Sequence, residues 1–222
     1  MIRICPSILN ADRENLPSEI ARISAQSDLL HLDVMDNIFV PNFTFTFEQS
    51  EKIIKESPIP IDSHLMIVDP DEKAHLYARA GSASVTFHYE ASSNPLQTIS
   101  RIREEGARVG VALKPATQFH EIASLMEHLD MVLIMTVEPG FGGQSFMTDM
   151  MAKVGEARKD IDSRFFEKIW LQVDGGISLE TIAQAAESGA DTFVAGSAVY
   201  KSDNPGSMVD SLRALAIKSS TR

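Results

Sequence analysis

A single cysteine, Cys5, stands in 222 residues. That excludes an internal disulfide framework and suits a reducing compartment. Basic residues are scarce as well: 20 Lys and Arg face 31 Asp and Glu, a formal net charge of -11. Nucleic acid and anionic membrane both call for a basic face, so neither is expected as a partner. A small phosphate stays admissible, because backbone N–H groups can hold one locally. No apolar run reaches the about 18 residues of a membrane-spanning helix. The start, Met1-Ile2-Arg3-Ile4-Cys5-Pro6, lacks the apolar stretch and cleavage site of a signal peptide. The expectation is a cytoplasmic protein. Linkers and low-complexity tracts are absent, so 1–222 is expected to form one domain, with a frayed tail over 218–222.

What is present is alternation. Strand-like apolar runs fall near 2–5, 29–35, 59–66, 83–88, 108–113, 131–137, 169–173 and 191–196. Helix-like segments lie between and after them, near 14–25, 46–56, 71–79, 96–105, 118–127, 147–160, 179–187 and 206–218. Leu16, Ile20 and Ile23 keep helical spacing, as do Leu96, Ile99 and Ile102. Asp69-Pro70 and Asn94-Pro95 read as helix starts, the polar residue capping and proline in the first turn. Continuous strands such as Met131-Val132-Leu133-Ile134-Met135 imply a parallel sheet covered on both faces. Eight strand–helix units predict a (β/α)8 TIM barrel. The rival doubly wound sheet loses support because its G-x-G-x-x-G fingerprint is missing, and the first strand ends in Pro6-Ser7 instead.

Barrel chemistry gathers at the C-terminal ends of the strands. The unusual residues fall there. His31 and Asp33 share one face of strand 2 by alternation, His64 follows on strand 3, and Asp174 ends strand 7. Buried and unpaired, such groups are costly. Two imidazoles and two carboxylates suit a divalent cation: zinc, Fe(II), cobalt or manganese. His75, His120 and His128 lie on helix-like segments and are expected to be solvated, while His88 is ambiguous between reaching the site rim and standing as a satisfied wall residue, the wall being the expectation. Glycines follow strands 6, 7 and 8 as Gly142-Gly143, Gly175-Gly176 and Gly196-Ser197. Loops of this kind let backbone N–H groups approach a phosphate, and a short helix is expected after Gly196-Ser197. Met35, Met66 and Met135 each sit near a strand end, as core filler or as an apolar cover over a reacting carbon.

Several motifs together resemble the ribulose-phosphate 3-epimerase family. They are Cys5-Pro6-Ser7-Ile8-Leu9, H-L-D-V-M-D at 31–36, F-V-P-N at 39–42, H-L-M at 64–66, P-G-F-G-G-Q at 139–144, D-G-G-I at 174–177 and A-G-S-A at 195–198. The resemblance implies a ribulose-phosphate-binding type of TIM barrel that interconverts D-ribulose 5-phosphate and D-xylulose 5-phosphate in the pentose phosphate pathway. It implies a divalent metal on His31, Asp33, His64 and Asp174, with Asp33 and Asp174 as the acid/base pair. It places the sugar phosphate against Ser7, His64, Gly140, Phe141, Gly142, Gly143, Asp174, Gly175, Gly176, Gly196 and Ser197, and it implies a homo-oligomer. Asn37, Ile38, Thr46 and Glu138 depart from the family's usual residues. They bear on loop closure and substrate preference, not on the presumed ligands.

The chemistry accounts for the residue types. Inverting the carbon beside a ketone needs two proton carriers on opposite faces of a planar enediolate. Strands 2 and 7 stand three places apart in a ring of eight, roughly 135° around the mouth. Three rival readings remain: the same chemistry on D-allulose 6-phosphate, a metal-dependent hydrolase, and a non-catalytic phosphate binder. Neither of the last two requires both aspartates.

Overall fold

The expected strands are too apolar to leave a face to solvent, and a closed parallel sheet is the arrangement that buries both faces. The computed structural model, which describes residues 1–164 and 168–220, has that form. Strands β1 (Arg3–Pro6), β2 (Leu30–Met35), β3 (Ile61–Met66), β4 (Ser84–His88), β5 (Arg108–Leu113), β6 (Met131–Met135), β7 (Trp170–Asp174) and β8 (Thr192–Ala195) pair in parallel. The order is β1-β8-β7-β6-β5-β4-β3-β2, and a bridge between Ser7 and His31 brings β2 back to β1.

Alternation divides the strand residues into two sets. Leu32, Val34, Leu65, Val85, Phe87, Val109, Val111, Val132, Ile134, Leu171, Val173 and Phe193 form one apolar cluster with the helices' inner faces. Burying each such side chain is worth about 1.5–3 kcal/mol. The alternate residues fill the barrel's interior. Smaller clusters there join Cys5 with Val194, Leu133 with Met135, and Met35 with Met66.

The outer layer holds α1 (Leu16–Ala21), α2 (Phe47–Glu56), α3 (Pro70–Ala80), α4 (Pro95–Glu104), α5 (Met151–Arg164), α6 (Ile182–Glu187), α7 (Ser197–Tyr200) and α8 (Pro205–Ser219). Thr46 and Gln49 form a reciprocal capping box at the start of α2. Asn94 caps α4 as expected, accepting from the Gln97 N–H. Asp69 does not cap α3: its backbone is left-handed, at φ 53°, and its side chain makes no capping bond. The helix expected over 118–127 is instead two 3-10 turns, Phe119–Ile122 and Met126–His128. Phe119, Ile122 and Leu125 recur every three residues, the period at which a 3-10 turn lines up side chains, and all three are buried. The segment expected from 147 starts its α-helix at Met151, after a 3-10 turn over Thr148–Met150. α8 takes in Lys218 and Ser219, the first two residues of the expected tail, while 221–222 lie outside the described residues. None of the described helices is long and apolar enough to cross a membrane.

Candidate active site

The register of β2 on β3 sets the site. It places His31 beside Asp62, Asp33 beside His64, and Met35 beside Met66. His31 therefore lies low in the barrel, as the second residue of β2, rather than at the strand's end as expected. Its imidazole reaches upward, so that Nε2 lies 3.4 Å from Asp33 Oδ1 and 3.4 Å from His64 Nδ1. His64 Nδ1 is 3.2 Å from Asp33 Oδ1 and 3.5 Å from Asp174 Oδ2, and His31 Nε2 is 3.8 Å from Asp174 Oδ2. The structure thus brings together all four residues read from sequence, with one donor atom of each within 4.8 Å of the others.

These separations test the fit to a cation. Tetrahedral ligands held at about 2.0–2.2 Å stand about 3.3–3.6 Å apart, and the donor set has the nitrogen and oxygen character of such sites. The second nitrogens of the histidines support the fit. His31 Nδ1 is 2.8 Å from Asp62 Oδ2, and Asp62 also accepts from Ser84 Oγ at 2.6 Å and Gln172 Nε2 at 2.7 Å. His64 Nε2 is 3.0 Å from His88 Nε2. Both rings are thereby oriented with one nitrogen turned into the cluster.

Charge follows from these contacts. Burial works against an imidazolium at His31, but the Asp33 and Asp62 carboxylates outweigh it and hold its pKa well above the usual value. Burial likewise opposes ionisation of Asp33, and His31 and His64 outweigh that, keeping its carboxyl below the ordinary range. The two oxygens of Asp33 have different surroundings. Oδ1 faces the imidazoles, while Oδ2 accepts from Ser7 Oγ at 2.5 Å. Asp174 is the most open of the four, its side chain 16% exposed where both histidines are sealed. Thr44 secures the end of β2, donating to the Asp33 carbonyl at 2.7 Å and accepting from the Met35 N–H at 2.9 Å. Thr136 does the same for β7, donating to the carbonyls of Asp174 at 2.9 Å and Gly175 at 2.6 Å.

Above the cluster is a pocket. Asp33 and Asp174 line it, with Ser7, Phe141, Gly142, Gly143, Gly175, Gly176, Gly196, Ser197, Met35, Met66 and Met135. Gly176 is needed at its bend: φ is 67°, and a Cβ there would sit 2.6 Å from the Phe146 backbone nitrogen. The expected short helix after Gly196 is α7. His64 and Gly140 are not in the lining. His64 is fully buried, and the Gly140 carbonyl accepts from Asn42 Nδ2 at 2.9 Å, tying the loop after β6 to the loop after β2. In that second loop Asn37 takes the left-handed backbone, φ 59°, that its position demands. Asp36 lies outside the pocket lining and tethers loops. It accepts from the Ile38 and Phe39 N–H groups at 2.9 Å each and from the Val68 N–H at 2.7 Å.

Some residues escaped the sequence reading. Asp62 is two residues before His64, on the same face of β3, and that repeat of the His31-x-Asp33 spacing was a usable signal. Gln172, Ser84 and Glu90 carried none. Asn10 lines the pocket between two glycines: a Cβ on Gly142 would lie 2.7 Å from its amide, and one on Gly196 would lie 2.4 Å from it. Of the remaining histidines, His120 and His128 are exposed as expected. His75 is half-buried, with Nε2 3.3 Å from Arg101 Nη2. His88 is buried and outside the pocket lining, as a wall residue should be, but it contacts His64.

The sequence of residues 3–200 matches the model of the ribulose-phosphate 3 epimerase family. The chain belongs to that family. It is an epimerase. The chain is 47% identical over 210 residues to the ribulose-phosphate 3-epimerase of Mycobacterium leprae, covering 95% of this chain and 93% of the relative. It is 42% identical over 221 residues to that of Schizosaccharomyces pombe, covering 97% and 94%. Among solved structures, KGPDC from Streptococcus mutans aligns with a TM-score of 0.72 at 13% identity over 98% of each chain. That likeness is one of fold.

Proposed function

We propose that the epimerase interconverts D-ribulose 5-phosphate and D-xylulose 5-phosphate by two-base proton transfer at C3. One observation carries the reading: Asp33 and Asp174, from strands three places apart, converge on one donor cluster at the floor of one pocket. One aspartate takes the C3 proton, and the C–H electron pair moves into the C2–C3 bond as the carbonyl pair moves onto oxygen, giving a 2,3-enediolate. The other aspartate returns a proton to the opposite face, with the electrons retracing their path. Run backwards, the two carriers exchange roles.

Asp33 Oδ2, next to the Ser7 hydroxyl, is the oxygen available to carry a proton on that side. His31, Asp33, His64 and Asp174 would hold a divalent cation, of zinc, Fe(II), cobalt or manganese type, which supplies positive charge to stabilise the developing enediolate oxygen. The loops at Gly142-Gly143, Gly175-Gly176 and Gly196-Ser197 hold the phosphoryl end, so that remote binding energy positions C3 between the acids. Met35, Met66 and Met135 provide an apolar lining that keeps water off the reacting carbon.

Incubation with D-ribulose 5-phosphate in D2O, followed at C3 by NMR, tests this. The expected result is D-xylulose 5-phosphate carrying solvent deuterium at C3, with turnover lost on chelation. Absence of C3 exchange with both D-ribulose 5-phosphate and D-allulose 6-phosphate, in metal-replete protein, would refute it.

A further inference from the structure

The reading above leaves a buried histidine and its carboxylate partner without a task, His88 and Glu90. His88 ends β4 and is fully buried, stacked on His64 with ring centroids 5.0 Å apart. Its Nε2 lies 3.0 Å from His64 Nε2, and its Nδ1 lies 3.2 Å from Glu90 Oε2. Glu90 is pinned from the loop after β5, its Oε1 accepting from the Lys114 N–H at 2.7 Å and from Thr117 Oγ1 at 2.5 Å. Hydrogen bonding sets a direction along this chain. A nitrogen that ligates a cation carries no proton, so a ligating His64 Nδ1 puts the ring's proton on Nε2. His88 Nε2 must then accept, which leaves the His88 proton on Nδ1, aimed at Glu90. Glu90, already receiving two donors, is held in place to accept it.

We infer that His88 and Glu90 are positioning residues that hold His64 in the tautomer and orientation a cation requires. This rests on the metal reading above. The two histidines of the cluster are then supported differently. His31 meets a carboxylate directly, through Asp62. His64 meets one through an intervening imidazole, and the chain ties it to the β5 loop at Lys114 and Thr117. His88 thus lies outside the pocket and still acts on its floor.

The test is zinc affinity, measured by competition with a chelator, in the full-length protein and in His88→Leu, His88→Gln and Glu90→Gln. Leucine removes the acceptor. Glutamine offers a carbonyl oxygen at nearly the reach of Nε2. Outer partners of ligating histidines are worth about 10- to 100-fold in metal affinity. His88→Leu should lose that much, His88→Gln should recover most of it, and Glu90→Gln should fall between. In zinc-loaded wild type, 15N NMR should find the His64 proton on Nε2. Unchanged affinity in His88→Leu, equal losses in His88→Leu and His88→Gln, or a His64 proton on Nδ1 would each overturn the inference. A wild-type protein that takes up no zinc, or takes it up equally well as His64→Ala, would instead refute the metal reading and this inference with it.

Discussion

The two ends of the barrel use aspartate in opposite ways. At the N-terminal end, Asp28, Asp130 and Asp191 stand just before β2, β6 and β8. Each accepts from an N–H of the preceding neighbour in the ring: Ile4 of β1 at 2.9 Å, Val109 of β5 at 3.0 Å and Leu171 of β7 at 3.1 Å. Each is also paired with an arginine, Arg213 at 2.6 Å, Arg103 at 3.0 Å and Arg158 at 2.9 Å. Arg3 and Arg108 stack on Trp170 at 4.0 and 3.9 Å and complete that end. At the C-terminal end, Asp33 and Asp174 have no lysine or arginine ion pair among the described residues, only imidazoles. A guanidinium partner saturates a carboxylate and commits it to structure. An imidazole partner can turn its lone pair to a cation and leaves the carboxylate able to exchange a proton.

The largest expected effect lies at the functional end. Asp33→Asn and Asp174→Asn should each lower kcat by at least the about 10²–10⁴-fold attributed to a positioned acid or base. Asp174→Asn should meanwhile leave the melting temperature of the metal-free protein within a few degrees. Near-normal turnover in either variant would end the two-base reading.

At the structural end the same kind of change should do the reverse. The side chains of Arg158 and Asp191 are only 8% and 13% exposed. Burial holds the Asp191 pKa above the usual carboxylate value despite the adjacent guanidinium. Removing one partner of a buried pair costs about 3–5 kcal/mol. Asp191→Ala should lose that much in urea unfolding, with kcat per folded molecule retained. An equal loss of kcat would show that the two ends are coupled.

Cation binding should narrow the gap between the ends. Zinc at about 100 times its Kd adds about 2.7 kcal/mol to the stability of the folded state. Differential scanning calorimetry should show a rise in Tm for wild type and none for His64→Ala. A shift of equal size in both would place the ion elsewhere.

The smallest effect concerns an acid at the functional end that is satisfied without arginine on its carboxylate. Burial raises the Asp71 pKa, but the hydroxyls of Ser92 and Thr98 and the N–H groups of Ser93 and Asn94 outweigh it, so the folded value is lowered. A lowered carboxyl pKa adds stability above the unfolded value of about 3.9, and that contribution disappears as pH falls through the folded pKa. The difference in stability between wild type and Asp71→Asn should therefore shrink on acidification below about pH 4. A difference independent of pH would refute the assignment.

Much of this was legible in the chain. The eight strands follow from apolar runs of strand length, and the four clustered residues follow from polar groups at odd positions on those runs. Such features are local, and strand alternation converts sequence spacing into a shared face. The departures lay where sequence spacing conveys less. A three-residue apolar repeat over 119–125 fits either helix type, and packing against the sheet settled on 3-10 turns. His31 looked like a strand-end residue, and only the closed ring shows it rising from a lower layer.

Residue type and a fixed local period are enough to set the strand–helix alternation, the identity of the inward-facing residues and the glycines at three adjacent strand ends. The tertiary structure alone decided which partners those residues have. The pairing of His31 with Asp62, the His64–His88–Glu90 chain, the Ser7 bond to Asp33, and the arginines on Asp28, Asp130 and Asp191 all join segments distant in the chain. Strand register and barrel closure bring those segments together, and neither is written in any one stretch. His31-Leu32-Asp33 therefore announced a site, while its partners decide whether each carboxylate stabilises the barrel or is available to a proton.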